Sequence, residues 1–151
     1  MSEASYKEDV LAWSRVQARA LRRRGTGSDQ LDYENLADEI ESVGLSELRS
    51  CGDYLAGLLE HMLRIEYVRS PEDVRGWRAE IRAFRKALRK RLSRTIANEL
   101  RAEFDEEVED AIILMEGRGL ITAEQAAEAR ERGRTWEQVV DPDWYPEPRY
   151  D

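Results

Sequence analysis

The sequence is poor in the residues that punctuate or staple a chain, with four prolines, one cysteine and one histidine in 151 residues. Pro71 is the only proline before Pro142, so almost the whole chain is free of the strongest helix breaker. A lone cysteine, Cys51, excludes an intrachain disulfide and makes a reducing compartment the simpler reading. A lone histidine, His61, excludes a multi-histidine metal site and leaves one candidate for any histidine-assisted nucleophile. No apolar run is long enough to cross a bilayer. The opening residues, Met1 to Asp9, lack the basic end and apolar stretch of a signal peptide. Alternating β-branched runs are missing as well, so strand signals are weak throughout. A cytoplasmic protein without membrane contact is expected.

What the chain does have is apolar residues spaced three and four apart. Leu48, Cys51, Leu55, Leu58, Met62 and Ile65 make one such series, and Val74, Trp77, Ile81, Phe84 and Leu88 another. Tyr6, Val10, Trp13, Gln17 and Leu21 follow the spacing more loosely. This period puts one apolar stripe on each helix, and such stripes are stable only when packed together. Apolar residues make up 41% of the chain, enough for a core, and charged residues 37%, which suits long helices with solvated outer faces. The predicted fold is all-α: a mainly antiparallel bundle of four principal helices, two short C-terminal helices and an extended aromatic tail. The length suits a single domain over residues 1–151, with the tail 141–151 packed on the bundle.

Capping chemistry predicts the boundaries. Ser5 with Glu8 reads as a capping box opening a helix that runs to Arg24 and stops at Gly25. The loop Gly25-Thr26-Gly27-Ser28 has no preceding strand and no following Gly-Lys-Ser/Thr, so it reads as a flexible connector rather than a phosphate cradle. Asp32 caps a second helix with Glu34 in its first turn. The stripe changes phase at Gly44, predicting a kink or break there and a central helix from Leu45 to about Val68. Ser70-Pro71-Glu72-Asp73 starts a third helix reaching about Ser93. After a short interruption hinted at by Thr95 and Asn98, a fourth carries Ile96, Leu100, Phe104, Val108, Ile112 and Met115, ending at Gly117 and Gly119. Thr122 with Gln125, and Thr135 with Gln138, form capping boxes for the short helices.

Several distinctive stretches lie in order along nearly the whole chain. They are Tyr6-x-x-Asp9-x-x-x-Trp13-x-x-x-Gln17-x-x-x-Leu21-Arg22 and Leu31-Asp32-Tyr33-Glu34-Asn35-Leu36-x-x-Glu39-Ile40-Glu41-Ser42-x-Gly44. Leu58-Leu59-x-His61-x-Leu63 with Trp77-Arg78-x-x-Ile81 follows, and Trp136-Glu137-x-Val139-x-Asp141-x-x-Trp144-Tyr145-Pro146 closes the series. Together these stretches resemble a bacterial family catalogued as domain of unknown function twenty-nine, and the resemblance implies an all-helical bacterial domain and no assigned activity.

Charge is segregated along the chain. From Arg75 to Arg94 there are nine basic residues and one acid, Glu80; from Glu99 to Glu116 there are eight acids and one base, Arg101. At 100° per residue, Arg78, Arg82, Arg85 and Arg89 share one flank of the third helix, while Asp105, Glu109 and Glu116 flank the seam of the fourth. The plain expectation is that the two flanks pair with each other, selecting neighbours more than adding stability. The functional expectation is an interaction patch at Arg78, Arg82, Arg85 and Arg89, whose forks suit the carboxylates of a protein partner or a second copy. Nucleic-acid binding through the same helix is the alternative. It is disfavoured by the net charge of −8 and by the lack of Asn and Gln base readers among the arginines.

An enzyme using His61 as acid or base ranks last, since the plainer role for His61 is a core imidazole bonded to a neighbouring helix. Asp38, Glu39 and Glu41 read as a solvated face rather than metal ligands, because no Glu-x-x-His motif is present; no metal and no cofactor are expected. Trp13 and Trp77 read as core residues, and Trp136 as an anchor for a short helix. Trp144, Tyr145 and Tyr150 would cover apolar surface or a second subunit, two cases the sequence leaves open.

Overall fold

A computed structural model describes residues 5–25 and 29–150; the expectations for Met1–Ala4 and for Thr26, Gly27 and Ser28 lie outside them. The described residues are all-helical: α1 (Val10–Arg24), α2 (Tyr33–Tyr67), α3 (Val74–Arg91), α4 (Arg94–Ala102), α5 (Phe104–Gly117), α6 (Ala123–Arg132) and α7 (Trp136–Val140). They contain no strand. Contacts group them into two compact units. One takes the residues through Gly52 with Arg91–Glu99, the other Asp53–Lys90 with the residues from Leu100 onward.

In the first unit, α1 starts later than its Ser5 signal suggests. Ser5 instead closes a turn, its hydroxyl and carbonyl oxygens both accepting from Glu8 N–H, at 3.1 and 3.2 Å. The cap is Asp9, whose Oδ1 accepts from Ala12 N–H at 3.1 Å while Oδ2 accepts from the Thr95 N–H at 3.1 Å and the Thr95 hydroxyl at 2.7 Å. One carboxylate thus caps α1 and ties it to the start of α4, which no local capping box offers. Burial pushes the Asp9 carboxyl up, but the bonds from Thr95, Ala12 and Ser93 outweigh this and hold it below its ordinary value. Cys51 is fully buried, and burial raises its thiol to about 11, which makes it inert.

Gly44 does not break α2. An added Cβ there would lie 2.0 Å from Ser14 Oγ and 3.1 Å from Leu11 Cδ1. Ser14 is itself buried and donates to Leu11 O at 2.8 Å. The glycine is a point of close approach to α1, and the phase change read as a kink is the absence of a side chain. Asp32 caps α2 as expected, accepting from Asn35 N–H at 3.2 Å.

In the second unit, the fully buried Leu55, Leu58, Leu59, Met62, Leu63 and Ile65 give α2 the wide apolar arc seen in its sequence. Gly57 again admits a neighbour: an added Cβ would meet the Phe84 ring at 2.8 Å. Phe84 lies edge-on to His61 with centroids 5.4 Å apart. Before α3, Ser70 and Asp73 close a turn, with Asp73 N–H on Ser70 O at 2.9 Å and the Ser70 hydroxyl on Asp73 Oδ2 at 2.5 Å. The helix therefore begins three residues past Pro71.

The fourth predicted helix is two, α4 and α5, divided at Glu103, whose φ of −101° and ψ of 7° leave the helical basin. The stripe survives the division, with Leu100, Phe104, Ile112 and Met115 all buried. Both C-terminal capping boxes are formed, at Thr122–Gln125 and Thr135–Gln138. Trp136 opens α7 and meets Phe104 edge-on at 6.0 Å.

These contacts predict the outcome of three substitutions. Gly52 has nothing within 4 Å of an added Cβ. Gly52→Ala should therefore raise the unfolding free energy through helix propensity alone, by up to about 1 kcal/mol, whereas Gly44→Ala should lower it through overpacking by about 1–3 kcal/mol, both read as shifts of Tm. Asp9→Ala should cost roughly 0.5–2 kcal/mol near neutral pH. Because the folded carboxyl is held below its unfolded value, the contribution exists above that value and is lost on acidification. Urea midpoints of wild type and variant should therefore converge below about pH 4.

Candidate functional site: the arginine flank of α3 and the tail laid on it

The four arginines singled out by spacing have different fates. Arg85 is buried. Its Nε donates to Val139 O at 2.9 Å, and its Nη2 to Trp144 O at 2.7 Å and Gln138 O at 3.3 Å. One guanidinium thus satisfies carbonyls at the end of α7 and the start of the tail. Burial pulls it below its ordinary range. Arg78 stays exposed on its helix but lies over the Tyr145 ring at 4.9 Å, with Arg85 over the same ring at 5.2 Å. The Tyr145 ring therefore has two cations against it, a favourable arrangement for its electron-rich π-system. The backbone of Trp144 and the ring of Tyr145 thus lie against α3 of the same chain.

Arg82 and Arg89 are exposed. Among the described residues, no ion pair joins Arg75, Arg78, Arg82 or Arg89 to a carboxylate. The expected pairing of the basic flank with the acidic one is thus not formed. Glu109 of α5 accepts instead from Arg130 Nε of α6, at 2.9 and 3.0 Å, because α6 supplies its own bases beside that flank. Arg75, Arg78 and Arg82, with Pro71 and Val74, line an open hollow of about 460 Å³. Three like charges around one hollow repel each other, and an incoming anion relieves that repulsion.

His61 is half-buried, and its Nδ1 donates to Gly57 O at 2.8 Å, within its own helix rather than to a neighbour. The intrahelical bond is what the four-residue spacing of Gly57 and His61 makes available. Among the described residues, no group of three His, Cys, Asp or Glu side chains is arranged to hold a metal.

Sequence reasoning missed Glu66, Arg134 and Arg149. Glu66 is buried near the end of α2 and pairs with Arg134, from the α6–α7 connection. Its backbone carbonyl accepts from Arg149 N–H at 2.7 Å, the last point at which the tail is fastened. A signal for it existed: Glu66 follows Met62 by four and Leu63 by three, so it stands on the apolar arc, where a charge requires a partner. Arg85, four after Ile81 and three before Leu88, carries the same signal and belongs to the seam rather than the flank.

With this architecture in place, comparison with known proteins is informative. A family model described as domain of unknown function DUF29 matches residues 5–145. The chain belongs to the DUF29 family. An alpha-helical protein of unknown function from Rhodospirillum rubrum, also of known structure, is similar to it at 23% identity and a TM-score of 0.71. The likeness covers 95% of this chain and 93% of that one, and at this identity it speaks for the fold alone. No curated protein matches the chain. No helix among the described residues of this DUF29 chain is long and apolar enough to cross a membrane.

Arg85→Met keeps the stem and removes the donors, leaving the carbonyls of Gln138, Val139 and Trp144 unsatisfied. The expected cost is roughly 2–4 kcal/mol in urea unfolding, together with faster hydrogen exchange of the tail amides. Arg85→Lys should recover only part, since a single ammonium cannot reproduce the fork.

Proposed function

We propose that this DUF29 protein is an interaction module of the bacterial cytoplasm that docks an acidic segment of a protein partner on α3. The observation that carries the reading is the hollow formed by Arg75, Arg78 and Arg82, three exposed guanidinium groups with no carboxylate partner among the described residues. Arg78 is restrained by Tyr145 beneath it, which reduces the side-chain entropy lost on binding. Arg89 extends the same exposed flank by two turns beyond Arg82. Carboxylates match these forks in paired hydrogen bonds. The alternative of nucleic acid on the same arginines is weaker, because the chain as a whole carries −8 and repels a phosphate backbone.

The test compares wild type with Arg82→Glu/Arg89→Glu, two exposed positions that make no ion pair among the described residues, with circular dichroism to check that both proteins are folded. The wild type should bind a glutamate-rich peptide and retain a defined acidic partner from native lysate, and the reversed variant should lose both. An unchanged captured set, or binding of duplex DNA or RNA at low salt in preference to the acidic peptide, overturns the reading.

A further inference from the structure

The outer face of α5 carries what the arginine flank of α3 lacks. Glu103, just before the helix, and Glu106, Asp110 and Ile113 along it recur at steps of three and four residues and are all exposed. They form one stripe, turned away from the buried Phe104, Ala111, Ile112 and Met115. Among the described residues, Glu103, Glu106, Glu107 and Asp110 make no ion pair. Bases of neighbouring segments are already taken, Arg101 by Glu137, Arg118 by Glu60 and Arg130 by Glu109. Burial first, and then Asp110, Glu103, Glu106 and Asp53, push the Glu107 carboxyl above its ordinary value. These acids repel one another as the arginines of the hollow do. Where the acids end, two large apolar side chains stand uncovered, Ile113 at 54% and Leu114 at 40% exposure.

The exposed flank of α3 has the same pattern with the opposite sign. Arg75, Arg78, Arg82 and Lys86 stand at steps of three, four and four residues. Read backwards, Ile113, Asp110, Glu106 and Glu103 stand at three, four and three. Laid antiparallel, the two stripes therefore stay in step over about 16 Å. Arg78 then faces Asp110, Arg82 faces Glu106 and Lys86 faces Glu103, while Pro71 and Val74 at the hollow face Ile113 and Leu114. Antiparallel packing also sets the two helix dipoles favourably. Within one chain the stripes do not meet, since all of these charged side chains are exposed and none is paired with another. Two α3 flanks repel each other, and so do two α5 stripes, which leaves α3 on α5 as the attractive combination.

We propose that the acidic segment docked on α3 is α5 of a second copy of this chain, packed antiparallel in this register. The proposal rests on the reading of α3 as a docking site and supplies its partner. The uncovered Ile113 and Leu114 lose their contact with water in the complex, and the ion pairs set register and orientation.

Sedimentation velocity over a concentration series tests it. The wild type should associate, its average mass rising with protein concentration and falling as sodium chloride screens the pairs. Arg82→Glu/Lys86→Glu and Glu103→Lys/Glu106→Lys alter exposed residues only, and the Glu103 side chain makes no capping bond to α5. Circular dichroism checks that each variant is folded. Each alone should associate at least about tenfold more weakly than the wild type. Mixed in equal amounts they should associate again, because the unaltered α3 of one meets the unaltered α5 of the other, and the two reversed stripes also match. Damage to the fold would not be repaired by mixing. If a reversed variant is unfolded, Ile113→Gln/Leu114→Gln replaces it and should weaken association while leaving its salt dependence unchanged. A monomeric wild type, variants that associate as the wild type does, or no restoration on mixing overturns the proposal. A monomeric wild type that still binds the glutamate-rich peptide leaves α3 as a docking site for another protein's acidic segment. One that binds no such peptide removes that reading as well.

Discussion

The second unit depends on charges that have been taken out of water and given partners from distant parts of the chain. Glu66 would be costly to bury alone, and Arg134 equally so; together they fix the α6–α7 connection against the end of α2. Arg85 does the same for the end of α7 and the tail, with backbone carbonyls rather than a carboxylate as its partners. Neither interaction is a strong source of net stability, because desolvation offsets most of the attraction. Their contribution is to specify where the connection and the tail lie, since a displaced tail would leave ions buried without partners.

This arrangement explains how one helix can serve two purposes. The α3 seam uses Ile81, Arg85 and Leu88, all buried, so its arginine is consumed by the fold. The neighbouring Arg78 and Arg82 are outside the seam and are left to the surroundings. Tyr145 joins the two sets, because its ring touches both the buried and the exposed cation. Loss of the tail would therefore loosen the hollow as well as the core.

The all-helical class, the caps at Asp32, Thr122 and Thr135, and the buried stripes were legible because each follows from spacing within a few residues. Boundaries that depend on distant partners were not. Ser5 reads as a cap until Thr95 gives Asp9 a better role, and Gly44 reads as a break until Ser14 is found against it. The candidate site divided in the same way. Periodicity grouped Arg78, Arg82, Arg85 and Arg89 on one flank, but a difference of one seam position separates a buried guanidinium from an exposed one. Pairing of Glu109 with Arg130 was invisible because it depends on where α6 packs.

The Arg85 clasp has an evolutionary consequence. All three of its acceptors are main-chain oxygens, so the bonds are indifferent to which side chains Gln138, Val139 and Trp144 carry. At Trp144 drift leaves the attachment in place, whereas an insertion or deletion between Val139 and Trp144 would misalign its oxygen against the two fixed by α7. Selection should consequently tolerate replacement at Trp144 far more readily than a change in the length of that segment.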